Sequence, residues 1–105
     1  MKEGIETKEK ILNLIRRNED EMKLLGVISL GLFGSFVRNE QNPTSDIDLL
    51  VEFEEGKKTF DNFINLGFLL EEVLKRRVEL VTRESLSPYL APYILKEVEY
   101  VSFSS

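Results

Sequence analysis

Residues 34–51 read GSFVRNEQNPTSDIDLLV: a Gly34-Ser35 pair, ten residues, then Asp46-Ile47-Asp48 running into the apolar Leu49-Leu50-Val51. Residues 46–53 are rich in apolar, branched and aromatic side chains and predict a strand. Successive strand side chains point to opposite faces. Asp46 and Asp48 therefore share one face, while Ile47 and Leu49 turn to the other, packed side. Carboxylates held that close repel, and the simplest relief is a divalent cation or a raised pKa on one of them. The chain has neither cysteine nor histidine, so hard carboxylate oxygens must carry any metal, and such ligands select Mg²⁺ or Mn²⁺.

Upstream, residues 27–33 form a run of branched and aromatic side chains after Gly26 and predict a buried strand. Gly34-Ser35 ends it. Glycine there permits close backbone approach, and the amide N–H groups of such a turn can cradle an oxyanion. If the chain coils after Ser35, Arg38 sits one helical turn away and aims a fixed positive charge at the same mouth. Residues 39–45, NEQNPTS, are polar and turn-rich and read as an exposed loop between the two strands.

Farther out, Ile11, Leu12, Leu14, Ile15, Met22 and Leu25 recur at three- and four-residue steps and predict one amphipathic helix over residues 7–25. Thr7 is placed to cap it, and Gly26 to stop it. Apolar positions return to helical spacing over residues 59–75, where Gly67 weakens the helix without ending it. Residues 77–82 are short, alternating and β-branched, a third strand in the same sheet. Glu79 takes the outward phase of that strand between Val78 and Leu80, which makes it the candidate third carboxylate. Pro88 and Pro92 punctuate a last helical stretch, and residues 99–103 return as an edge segment or fray. The order is α-β-β-α-β-α, an α/β (α+β) arrangement.

At 105 residues and a 42% hydrophobic share, one globular domain spanning residues 1–105 is expected. No apolar run reaches the roughly 20 residues of a membrane span, and the polar opening of residues 1–4 lacks a secretory signal, so a cytoplasmic protein is expected. The net charge of −5 and scattered basic residues argue against a sequence-independent grip on nucleic acid.

The joint pattern of Gly34-Ser35, ten residues and Asp46-Ile47-Asp48 resembles the signature of the polymerase-β nucleotidyltransferase superfamily. Its form is similar to the minimal nucleotidyltransferase (MNT) branch, typically the antitoxin half of HEPN/MNT toxin–antitoxin pairs. The resemblance covers residues 27–82 and implies a small mixed sheet of three to four strands packed by helices. It implies that Gly34 and Ser35 hold the triphosphate of ATP, that Asp46 and Asp48 bind two Mg²⁺ ions, and that Glu79 is the third catalytic and metal-binding carboxylate, as base or as ligand. Arg38 and Ser45 match further nucleotide-binding positions. The signature's usual glycine after the arginine is here Asn39, a residue that tolerates the left-handed backbone. The implied function is AMP transfer from ATP to a hydroxyl of a partner protein, the cognate HEPN ribonuclease toxin. Two rival readings are an antitoxin that only masks its toxin and a transferase acting on a small molecule or an RNA end.

Overall fold

Thr7 caps the first helix, α1 (Lys8–Arg17), its hydroxyl accepting the Lys10 amide at 3.3 Å. The computed structural model describes residues 7–103; the polar opening of residues 1–4 lies outside them. Ile11 and Ile15 are fully buried on the inner face of α1. The single helix expected over residues 7–25 breaks at Asn18, whose φ of −110° leaves the helical region and whose side chain donates to the Leu14 carbonyl at 2.8 Å. Asparagine makes this local competition with the helix easy. A separate α2 (Glu19–Leu24) follows and buries Met22.

Gly26, at φ +87°, turns the chain into β1 (Val27–Phe33). This strand pairs antiparallel with β2 (Ile47–Phe53), with Leu32 opposite Leu49 and Phe33 opposite Asp48. The helix α3 (Phe60–Leu74), capped by the Thr59 hydroxyl and ended by a left-handed Lys75, carries the chain over to β3 (Val78–Thr82). The latter lies parallel to β2, as such a crossover connection allows. After α4 (Ala91–Glu97), with Pro92 in its first turn where no amide donor is needed, the two-residue β4 (Glu99–Tyr100) pairs antiparallel with β1. The sheet order is β3-β2-β1-β4. The element order is thus α-α-β-β-α-β-α-β: the expected α/β plan with its first helix divided and its edge segment present as a strand.

One face of the sheet carries the core. Leu30 and Leu32 of β1 and Ile47, Leu49 and Val51 of β2 pack with Ile11, Ile15, Leu66, Leu70 and Leu74 from α1 and α3. Each such side chain contributes about 1.5–3 kcal/mol by leaving water. The other face is left to Asp48, Glu79 and the C-terminal segment. A side chain on Gly31 would strike Val98, so glycine in mid-strand is what lets the α4–β4 connection lie against β1. Tyr89, Tyr93 and Tyr100, the chain's three tyrosines, all fall in or beside this segment; Tyr89 and Tyr93 are largely exposed and Tyr100 partly. Among the described residues no helix is long and apolar enough to cross a membrane.

Candidate active site

Asp48 sits at the centre of the site because of strand register. Across β1 it faces Phe33, the last strand residue before Gly34, and across β3 it faces Glu79 directly. Neighbouring strands lie about 4.8 Å apart, so the two carboxylate side chains stand side by side on the sheet face away from the helical core. Asp46 lies just before β2, which begins one residue later than the alternation predicts, and its carboxylate is 3.9 Å from the Arg77 guanidinium. Ile47 and Leu49 are fully buried on the opposite face, as the alternation requires.

The crowding has an electrostatic signature. Burial first, then Glu79 and Asp46, push the Asp48 carboxyl from its ordinary value of 3.8 up to about 6; Arg38 opposes this, and Glu97 adds a further upward push. A divalent cation would relieve the same repulsion. Among the described residues no three carboxylates converge into a finished metal cage. The donor set still suits Mg²⁺, an ion that keeps several waters and takes one or two protein carboxylates together with substrate phosphates.

The turn after β1 is shaped for close approach. Gly34 has φ +84°, and a Cβ there would collide with the Asp48 carboxylate. Glycine is therefore required twice, for its backbone angle and for the room it leaves. The chain coils through a single 3₁₀ turn, Gly34–Phe36, after which the Arg38 amide donates to the Gly34 carbonyl at 3.2 Å. Asn39 takes the left-handed conformation at φ 60°, so the departure from the signature's glycine is absorbed locally. Ser35 is half-buried in the turn, and its carbonyl accepts the Glu40 amide at 2.8 Å. The Ser45 hydroxyl accepts the Asn42 amide at 2.9 Å within the 39–45 loop, and its carbonyl accepts from Arg76, just beyond α3, at 3.0 Å.

One residue of this cluster carries no sequence signal. Glu97, at the end of α4, accepts the Gly34 amide at 2.8 Å and Arg38 Nη1 at 3.1 Å through both its oxygens. Its neighbours Lys96 and Val98 belong to no motif, and only the pairing of β4 with β1 brings it to the site. Arg38 is held from the other side by Glu40 at 3.1 Å.

The nucleotidyltransferase domain matches residues 9–101, a span that includes the glycine turn and all three carboxylates. The chain belongs to the nucleotidyltransferase domain family. The protein adenylyltransferase MntA of Thermococcus cleftensis is 41% identical over 96 residues, which cover 90% of this nucleotidyltransferase and 96% of that protein. A solved structure described as a minimal nucleotidyltransferase shares the fold with a TM-score of 0.68 at 34% identity, over 84% of this chain and 93% of the other. A chain in the complex of a tri-AMPylated HEPN toxin with an MNT antitoxin from Shewanella oneidensis has a TM-score of 0.60 at 19% identity, over 89% and 73% respectively, a likeness of fold.

Proposed function

We propose that this nucleotidyltransferase transfers AMP from ATP to a hydroxyl group of a partner protein, a HEPN-type toxin, and that Gly34, Ser35, Arg38, Asp46, Asp48 and Glu79 form its active site. The observation that carries the reading is the register Phe33–Asp48–Glu79, which sets two carboxylates against a turn with the backbone freedom to receive a phosphate. The names of its relatives support the adenylyl group and the toxin as acceptor.

In the reaction the acceptor oxygen bonds to the α-phosphorus, the bond from that phosphorus to the bridging α–β oxygen breaks, and pyrophosphate leaves. Asp46 and Asp48 would hold two Mg²⁺ ions, which would supply charge stabilisation at the attacking and leaving oxygens. Glu79 stands beside Asp48 and is placed to orient the acceptor hydroxyl or take its proton. The Gly34 and Ser35 amides and Arg38 receive the phosphate oxygens at the mouth. Ser45 acts at one remove, by holding the loop that leads into Asp46.

The test is a two-protein reaction. Incubated with ATP and Mg²⁺, the partner toxin should gain mass in whole AMP units, and the Asp46→Asn/Asp48→Asn double variant should add none. Neutralisation of the toxin by that variant, with no mass gain under the wild-type protein, would replace catalysis by simple masking. AMP appearing on a small molecule or an RNA end instead would move the acceptor.

A further inference from the structure

Glu97 is held at the site by its partners and not by its own helix. It closes α4, at the end where backbone carbonyls gather negative charge and a carboxylate is disfavoured. The helix itself is seven residues long and buries none of them. Yet the Glu97 side chain is only 23% exposed, because its carboxylate has reached into the mouth to take the Gly34 amide and the Arg38 guanidinium. These are two of the donors that the proposed reaction assigns to the nucleotide. Phosphate oxygens and a carboxylate would compete for the same N–H groups, and two anions cannot share this mouth without strong repulsion. The like charges nearby deepen the conflict, since Asp48, Glu79 and Asp46 all lie on the same side of the sheet and Glu97 adds to the upward push on Asp48.

We propose that Glu97 is an internal anion that occupies the phosphate cradle and is exchanged for the nucleotide's phosphates on binding, its side chain swinging out as they enter. The inference rests on the nucleotidyltransferase reading. The movement is small, because Ile94 and Leu95 of α4 are only partly buried and Val98 can keep its place against Gly31 while the Glu97 side chain swings out. Arg38 does not lose its aim when Glu97 leaves, because Glu40 continues to hold its Nε at 3.1 Å. The device makes the unliganded cradle self-satisfied, so that a lone phosphate binds poorly while a triphosphate with its metal, which engages Asp46 and Asp48 as well, displaces the glutamate.

Calorimetry on the full chain tests the exchange. Glu97→Gln and Glu97→Ala should each bind ATP–Mg²⁺ on the order of tenfold more tightly than wild type, the gain expected when a competing charge-assisted contact is removed. Inorganic tripolyphosphate with Mg²⁺ should show the same gain, and adenosine, which has no phosphate, should show none. In the wild-type protein the Gly34 amide resonance should move only modestly on adding ATP–Mg²⁺, because one anionic acceptor replaces another, and it should move farther in Glu97→Ala, where the amide gains a charge-assisted partner it lacked. Equal or weaker binding by both variants would overturn the exchange and make Glu97 a positioning residue for Arg38 and Gly34. Failure of wild type and variants alike to bind ATP–Mg²⁺ would overturn the nucleotide reading, and the exchange with it.

Discussion

Asp48 carries a proton balance that can be measured without any substrate. Its carboxyl titrates near pH 6 when folded and near its ordinary 3.8 when released. Folding therefore takes up a proton between those values: the contribution to stability is fully present below about pH 4 and is lost as pH rises through about 6. Asp48→Asn should then melt higher than wild type above pH 6 in metal-free buffer, by on the order of a few degrees for a domain of this size, and the difference should vanish towards pH 4. Thermal melts across that range decide it; a constant difference would mean that Asp48 is not crowded by its neighbours. The same variant should lose AMP transfer by on the order of a thousandfold, as loss of a metal's several kcal/mol implies. Gly34→Ala makes a sharper test of the turn. It forces a side chain into φ +84° and against the Asp48 carboxylate, a backbone cost of about 1–2 kcal/mol. Transfer should fall to the level of the aspartate variants while the melting temperature drops by only about 4–16 °C.

At the scale of elements, the two faces of the sheet answer to different substitutions. Leu70 is fully buried in α3 on the core face, so Leu70→Ala should cost about 2–5 kcal/mol in urea unfolding and leave nucleotide affinity nearly unchanged. Gly31→Val places a side chain where Val98 packs. It should cost about 1–3 kcal/mol by overpacking and, unlike Leu70→Ala, should also alter nucleotide affinity, because it lifts the segment that bears Glu97. Much of this plan could be read from the chain. Strong periodicity located β1, β2, α3 and β3 to within a residue or two, and the two-residue alternation put Asp46, Asp48 and Glu79 on the outward phase. The break at Asn18 escaped because a side-chain hydrogen bond to Leu14, and no change of hydrophobic period, divides the helix. Glu97 escaped for a different reason: its place depends on β4 folding back beside β1, a contact that spans 63 residues from Glu97 to Gly34 and leaves no local trace.

For the molecule as a whole, the described residues share one core face and one sheet, which supports the reading of a single domain. Urea unfolding followed by far-UV circular dichroism and by amide resonances of β2 should give coincident transitions, as one cooperative unit requires. Separate transitions would divide the chain into more than one unit. The placement of the tyrosines has a consequence of its own. The chain has no tryptophan, and its three tyrosines stand at positions 89, 93 and 100, around the last helix and the last strand. Its tyrosine emission therefore issues from the segment that carries Glu97. Light from the unlabelled protein reports the surroundings of that segment while the rest of the sheet stays dark.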